Sequence, residues 1–379
     1  MNVARWRAMT RLGRRMMFHD GAKLVGTILG VVFAVVLGVQ QLSILLGLLQ
    51  KNTMFVDNAG ADVWIVPRGT EVLQPGRLMD GSVLSRARAT DGVDLAEPLV
   101  MTGAALQKLE GGTEPVTLVG AVSPARLGGP WNLVAGSADA IEQIDTMIFE
   151  DSERETYGAF DLGTERELGG RRVRAGGFTW GLLPFGPAYA FADIDLARDI
   201  ARIPTDRSSF VLVKARPGVD PKQLAERLQG RIGDQLVMTR EAFARSIVIA
   251  LLRDQLGASF ATSTSFGLIV GFVIVALSMF SSVIDNLREF GTLKAIGARD
   301  RDLALLILAQ AVIYGLVGSL IGLALVGRAA AGIRSPQLVP LIPVPLIVAV
   351  PFVMTGICCV ASVLALSRIR KLEPGMVFR

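Results

Sequence analysis

The chain has few of the residues that build catalytic and metal sites. Its 379 residues include one histidine, His19, and two cysteines, Cys358 and Cys359. Zinc sites and Ser-His-Asp triads both need histidine or cysteine clusters, so neither is expected. The Gly-x-x-x-x-Gly-Lys-Ser/Thr motif that binds nucleotide phosphates also has no match in the sequence. The composition therefore predicts a non-catalytic protein with no metal and no cofactor of its own.

Long apolar runs are the most abundant feature. Hydrophobic residues make up 51% of the chain and charged residues 19%. A helix of about 20 apolar residues crosses a bilayer, and the sequence has four runs of this length: residues 24–49, 260–284, 303–326 and 344–367. These runs hold almost no ionisable residue, whereas ion-coupled transport usually needs such groups inside the membrane. We therefore expect four transmembrane helices and no self-powered transport.

Basic residues flank the first and last apolar runs. The first is preceded by Arg5, Arg7, Arg11, Arg14, Arg15 and Lys23, and the last is followed by Arg368, Arg370 and Lys371. The positive-inside rule then places both termini in the cytoplasm. Residues 1–23 have the pattern of an amphipathic helix on a membrane surface. A cleaved signal peptide is disfavoured because the apolar run that follows is too long. Basic clusters at membrane flanks do not indicate nucleic-acid binding.

Residues 50–259 differ from the rest of the chain in composition and in the pattern of their apolar residues. Short alternating runs between glycines and prolines predict strands, as at residues 61–66, 116–120 and 208–213. Helices are expected at residues 81–89, 193–203 and 221–232, the last with Asp220 as cap and Pro221 at its first position. Residues 239–255 should form a stalk helix that leads back to the membrane. The acidic cluster Glu150, Asp151, Glu153 and Glu155 is interpreted as a solvated turn.

These features predict an α+β membrane protein in which a large mixed α/β extracytoplasmic domain is inserted between the first and second of four transmembrane helices. The predicted segments are a cytoplasmic amphipathic helix at residues 1–23, transmembrane helix 1 at 24–49, the extracytoplasmic domain with its stalk at 50–259, transmembrane helix 2 at 260–284, a cytoplasmic loop at 285–302, transmembrane helix 3 at 303–326, an outer loop at 327–343, transmembrane helix 4 at 344–367, and a cytoplasmic tail at 368–379.

The loop at residues 285–302, DNLREFGTLKAIGARDRD, is the stretch around which the chain is organised. It is densely charged, yet its apolar residues Leu287, Phe290, Leu293 and Ile296 are spaced as in a short amphipathic helix. Gly291 and Gly297 permit close approach and sharp turning. Asp300 or Asp302 can cap the next helix through its free amides. Such a helix suits docking of a soluble partner, and the alternative is a solvated loop before a capped helix.

Residues 286–298, NLREFGTLKAIGA, resemble the cytoplasmic loop of MacB/FtsX-type permeases, the membrane subunits of type VII ABC systems. The layout of the whole chain is similar to that family. Three motifs resemble the DevC-like branch most: residues 264–267 (TSFG), 292–297 (TLKAIG) and 372–378 (LEPGMVF).

The resemblance implies a homodimeric permease of the bacterial inner membrane, bound to a separate ABC ATPase that holds the ATP. The ATPase-coupling residues implied are Arg288, Glu289, Phe290, Gly291, Leu293, Lys294, Ala295, Ile296, Gly297 and Ala298. It further implies mechanotransmission: ATP hydrolysis drives periplasmic movements that export a lipid, glycolipid or other periplasmic substrate, with a periplasmic adaptor protein and an outer-membrane channel. Two alternatives share this layout, namely a lipoprotein-releasing LolC/LolE-like permease and an FtsX-like signalling permease that regulates a cell-wall hydrolase.

Overall fold

The computed structural model describes residues 21–73, 76–124, 126–184, 186–285, 287–332 and 339–369. Most of the predicted amphipathic helix at residues 1–23 and most of the tail at 368–379 lie outside these residues. The helices are α1 Gly21–Asn58, α2 Gly81–Arg88, α3 Arg154–Tyr157, α4 Ile194–Ala201, α5 Pro221–Ile232, α6 Arg240–Arg253, α7 Gln255–Asp285, α8 Leu287–Ala295, α9 Asp300–Gly332 and α10 Val344–Ile369. The strands are β1 Val63–Val66, β2 Met79–Asp80, β3 Val93–Gln107, β4 Thr113–Ala121, β5 Leu133–Gly136, β6 Thr146–Glu150, β7 Glu165–Leu168, β8 Arg171–Thr179, β9 Tyr189–Asp193, β10 Arg207–Ser208, β11 Phe210–Ala215 and β12 Leu236–Thr239.

The chain divides into two compact units, with the divisions after Leu46 and after Gly257. The helical unit contains the first part of α1 together with α7 to α10, and the mixed unit contains the elements between them. Within the described residues, four helical stretches are long and apolar enough to cross a membrane: Leu24–Asn58, Gly257–Ser278, Arg301–Gly332 and Val344–Val363. The mixed α/β unit begins within the first of these stretches, at Gly47, and most of it lies in the chain between the first and second, as the sequence predicts.

The helices of the helical unit approach one another closely at glycines. Its apolar core includes Val31, Val35 and Leu306, all of which are buried. A Cβ added at Gly318 of α9 would lie 2.6 Å from the Cβ of Val31, which is closer than real Cβ contacts come. Small residues permit this kind of contact between membrane helices, where dispersion contacts rather than the hydrophobic effect hold the helices together.

We expect Gly318→Leu to destabilise the helical unit, because overpacking a close contact costs about 1–3 kcal/mol. The matched control is Gly327→Leu in the same helix, where an added Cβ meets nothing within 4 Å. Thermal unfolding of the full chain in detergent measures both variants. Equal melting temperatures for the two would show that the α1–α9 contact is not as tight as described.

Long β3 belongs to two sheets at once. Its first half pairs with β11 in the antiparallel order β12-β1-β11-β3. Its second half begins the order β3-β4-β9-β6-β8, and β7 pairs with both β8 and β3, so these six strands form a closed ring. The ring closes between β3 and β7 at one pair, Leu106 opposite Leu168, and β5 pairs with β8 outside the ring. The mixed unit is thus a four-stranded sheet joined through β3 to a small barrel-like ring.

The four-stranded sheet is covered on both faces around its strand β1, which explains why all four residues of β1 are apolar and buried. Side chains alternate between faces along a strand. Val63 and Ile65 face a cluster that includes Leu224 of α5, whereas Trp64 faces a cluster with Phe55 at the end of α1 and Phe243 of α6. The rings of Trp64 and Phe243 lie 5.3 Å apart. The end of α1 and helix α6 are therefore fixed against one face of the sheet.

Local sequence signals predict several elements of the mixed unit correctly. Helix α5 covers residues 221–232 as expected, and the Asp220 side chain accepts a hydrogen bond from the backbone N–H of Lys222. The Thr239 hydroxyl caps α6 in the same way, through the N–H of Ala242. The carboxylate of Asp80, which caps α2, has a pKa lowered chiefly by the hydrogen bond from the backbone N–H of Ser82. Each cap satisfies an amide that the helix itself leaves without a partner.

The interpretation of the acidic cluster as a solvated turn is wrong for Glu150. This side chain is fully buried at the end of β6. Its carboxylate accepts hydrogen bonds from the Leu182 N–H at 3.0 Å, the Thr179 hydroxyl at 2.9 Å, the Ser152 hydroxyl at 2.8 Å and the Gly181 N–H. Burial of a carboxylate requires such a full set of donors. Glu150 therefore holds the loop after β8 in place, which no local pattern around residue 150 indicates.

Candidate functional site

The predicted amphipathic segment forms the short helix α8 in the helical unit. Its residues separate into an inner and an outer side. Gly291 is buried, and Leu293 packs half-buried against the core of the unit. Glu289, Thr292 and Ile296 are exposed at helical spacings of three and four residues, with the Ile296 side chain 79% exposed. Residues at these spacings lie along one face of a helix, so α8 presents a continuous outer face.

The end of α8 is fixed by a hydrogen-bonded turn. The Ala298 N–H donates to the carbonyl of Leu293 at 2.9 Å, and the Ile296 N–H donates to the carbonyl of Thr292 at 3.1 Å. Gly297 between them has φ +101°, in the left-handed region that favours glycine. This is the Schellman arrangement of a helix end, in which an apolar contact accompanies the long hydrogen bond. Leu293 and Ala298, the two residues joined by the long hydrogen bond, both pack against the helical core.

Hydrogen bonds also fix the start of α9. The Asp302 carboxylate accepts a hydrogen bond from the Arg299 N–H at 2.9 Å. The Arg299 carbonyl accepts from the N–H groups of Asp302 and Leu303 at 2.8 and 3.3 Å. A carboxylate three residues into a helix that reaches back in this way forms half of a capping box. The predicted cap was a carboxylate that accepts from the free amides of the helix, whereas Asp302 lies inside the first turn and accepts from the N–H of Arg299 before it. Because Gly297, Ala298 and Arg299 join two anchored ends, α8 is held firmly to α9.

The ten residues implied by the resemblance do not share one environment. Glu289, Ala295, Ile296 and Gly297 are exposed, whereas Gly291 is buried and Leu293 and Ala298 are half-buried. The side chains of Arg288, Phe290 and Lys294 lie outside the described residues. Thr292 is exposed on the same face, although the predicted set omits it. Thr292 lies three residues after Glu289 in the sequence, and this helical spacing could have identified it as part of the same face.

This arrangement connects α8 closely to α9. The inner side of α8 is packed into the unit, both ends of the turn to α9 are hydrogen-bonded, and the outer face is open. A load on the outer face therefore reaches α9 through packed side chains and backbone hydrogen bonds. The arrangement has no group placed for acid–base or nucleophilic catalysis among its described side chains.

Replacing Gly297 with valine tests how much the turn matters. A non-glycine residue in the left-handed region costs about 1–2 kcal/mol. Gly111 of the mixed unit has φ +92° and, like Gly297, open space at the Cβ position, so Gly111→Val imposes a similar strain elsewhere. We expect similar losses of thermal stability for both variants, but, in a complex with the ABC ATPase that the resemblance implies, a lower ATPase rate only for Gly297→Val. Equal ATPase rates for the two variants would show that the turn does not contribute to coupling.

Two family models match the chain. Residues 24–231 match the MacB-like periplasmic core domain, which is more than half of the chain, and residues 261–374 match the FtsX-like permease C-terminal model. The first of these covers α1 and most of the mixed unit. The second covers the remaining crossings, including α8 and the turn to α9.

Several curated proteins are similar to the chain. An uncharacterized ABC transporter permease of Mycobacterium tuberculosis is 32% identical over 116 residues, covering 29% of this chain and only 31% of the relative's own length. Another such permease from the same organism is 26% identical over 343 residues, covering 85% of this chain and 86% of the relative. The macrolide export ATP-binding/permease protein MacB of Bdellovibrio bacteriovorus is 38% identical over 65 residues, 17% of this chain and 10% of that protein. With the permease C-terminal and periplasmic core models both matched, the chain belongs to the MacB/FtsX family of ABC transporter permeases.

Proposed function

We propose that the protein is the non-catalytic membrane subunit of an ATP-driven exporter, and that a separate ABC ATPase docks on the outer face of α8. The observation that carries this proposal is the anchored, outward-facing helix Leu287–Ala295 between two membrane-length helices. The similarity to a protein whose name joins an ATP-binding part to a permease part supports the choice of partner. ATP hydrolysis in the partner supplies the energy that the apolar helices cannot draw from an ion gradient.

In this proposal two copies of the permease sit in the bacterial inner membrane, with both termini in the cytoplasm and the mixed unit in the periplasm. Helix α1 extends without a break from Gly21 to Asn58, so it passes from the helical unit into the mixed unit. Movement imposed at α8 is passed to the mixed unit, which acts with a periplasmic adaptor and an outer-membrane channel on a lipid, glycolipid or other periplasmic substrate. The cargo need not pass through the helices themselves.

Purification of the tagged, full-length protein from its native membrane tests the proposal. Mass spectrometry of the co-purifying proteins should identify an ABC ATPase together with a periplasmic adaptor. Recovery of an ATPase together with a lipoprotein carrier would support lipoprotein release instead of export. Recovery of an ATPase together with a cell-wall hydrolase would support signalling instead. In both cases the proposed coupling to an ATPase would stand. If no ATPase is recovered under conditions that preserve membrane complexes, the proposal fails.

A further inference from the structure

A lysine marks the end of the first long apolar run. Helix α1 carries no charged residue between Lys23 and Lys51. At a rise of about 1.5 Å per residue, residues 24–50 are about 40 Å long, which is about the thickness of a bilayer together with its headgroup regions. Lysine side chains near the ends of membrane helices extend toward the headgroups. Lys51 therefore lies in the headgroup region on the side of the mixed unit.

A loop of the mixed unit is bound to this lysine. The Lys51 ammonium donates a hydrogen bond to the carbonyl oxygen of Gly181 at 2.5 Å. Gly181 belongs to residues 180–184, which directly follow β8 and which we name the Trp180 loop. Asn52, the next residue of α1, and Pro184, the last residue of the loop, line one cavity of the mixed unit. The Trp180 loop therefore lies beside α1 at the level of Lys51.

Hydrogen bonds fix the backbone of the Trp180 loop. The Trp180 N–H donates to the carbonyl of Asn132 at 3.0 Å, and the side-chain amide of Asn132 donates to the carbonyl of Trp180. The buried carboxylate of Glu150 accepts hydrogen bonds from the N–H groups of Gly181 and Leu182. Leu182 is buried, whereas Trp180 is 45% exposed. The loop therefore presents an indole at the surface on a backbone that is held in place.

The Trp180 loop belongs to an uncharged part of the sequence. Residues 175–192 contain no charged side chain and form the longest uncharged run between Lys51 and Arg253. The other tryptophans of the mixed unit are covered, since Trp64 is fully buried and Trp131 is half-buried. Tryptophan is enriched in the headgroup regions of membranes, because its ring is apolar and its N–H is polar. An exposed tryptophan on an uncharged loop beside the end of a membrane helix fits that environment.

We propose that the Trp180 loop lies on the membrane surface beside α1, with the Trp180 indole among the phospholipid headgroups. An exposed tryptophan is also typical of protein interfaces. The hydrogen bond from Lys51 favours the membrane, because it holds the loop at the end of the apolar run, where headgroups surround α1. The contact places the end of β8 against the membrane. The inference goes beyond the proposed function, since it requires membrane insertion of α1 but no ATPase.

Quenching of tryptophan fluorescence by brominated phospholipids tests the proposal, with the full-length protein in phosphatidylcholine vesicles. Every protein in the test carries Trp6→Phe, because the amphipathic segment predicted at residues 1–23 would also bring Trp6 to the membrane surface. Bromine near the headgroup end of the acyl chains should cause a larger loss of emission from the protein with Trp180 than from Trp180→Phe. Bromine near the far end of the chains should quench Trp180 less than bromine near the headgroup.

The matched control combines Ile144→Trp with Trp180→Phe, so that it has the same number of tryptophans. Ile144 is 84% exposed, and the carboxylate of the next residue, Asp145, accepts a hydrogen bond from Arg171 at the start of β8. The start of β8 lies about 26 Å along the strand from its end at Thr179. The control therefore places an exposed tryptophan far from the Trp180 loop, and its emission should be quenched no more than that of Trp180→Phe alone.

Equal quenching by the brominated lipids of the protein with Trp180 and of this control would overturn the proposal. Protection of Trp180 from the soluble quencher acrylamide only when a co-purified adaptor is bound would assign the indole to a protein contact and would overturn the proposal as well. The assay with brominated lipids contains no ATPase, so its failure is distinguishable from failure of the proposed coupling, which the co-purification measures.

Discussion

Replacing Ile296 with aspartate is expected to release the ATPase from the purified transporter. Ile296 lies in the turn directly after α8 and is 79% exposed, and docking of a partner on this face would bury it. A charge buried at a contact without a partner is unfavourable, and the central residues of protein interfaces contribute about 2–4 kcal/mol each. We therefore expect the dissociation constant to rise about 30- to 1,000-fold, measured between purified permease in detergent and purified ATPase.

The control for this variant is Ile144→Asp. Ile144 lies in the mixed unit and is 84% exposed, so the same substitution changes a comparable surface residue outside the proposed docking face. It should leave the affinity unchanged and the thermal stability close to that of the wild type. If both variants bind the ATPase as tightly as the wild-type protein, the outer face of α8 is not the docking surface.

Replacing Glu150 with alanine is expected to cause the largest loss of stability. The substitution leaves the N–H groups of Gly181 and Leu182 and the hydroxyl of Thr179 without their acceptor in a buried site. Removing one side of a buried charged network costs about 3–5 kcal/mol. Hydrogen exchange measures the effect locally, because the Gly181 and Leu182 amides should exchange much faster in the variant.

Glu155→Ala is the matched control for Glu150. It removes an exposed carboxylate from the same acidic cluster, five residues along the chain. We expect no change in the exchange of the Gly181 and Leu182 amides and little change in the melting temperature. If Glu150→Ala behaves like Glu155→Ala, the buried carboxylate does not hold the loop after β8, and the original interpretation of a solvated turn stands.

The sequence predicts those elements whose causes are local. Helix α5 begins at Pro221 behind the Asp220 cap because the cap, the proline and the apolar spacing all lie within a dozen residues. The same applies to α8, whose end is followed by Gly297 in the left-handed conformation. Apolar runs long enough to cross a bilayer are equally local. Capping residues, glycines and the spacing of apolar residues therefore identify helices and their ends without knowledge of the tertiary structure.

Features that depend on distant partners could not be predicted in this way. Glu150 is buried because donors at residues 179–182 surround it, about thirty positions further along the chain. The ring of six strands closes only because β7 pairs with both β3 and β8. Strand register and tertiary burial decide both features.

The most direct test of the account is site-specific photo-crosslinking within the assembled transporter. The photoreactive residue p-benzoylphenylalanine is placed in turn at position 292, position 296 and, as the control, position 144, all of which are exposed. Crosslinks to the ABC ATPase subunit from positions 292 and 296, with none from position 144, are the result that the account predicts. An ATPase that co-purifies with all three variants but crosslinks from neither position 292 nor position 296 would contradict it.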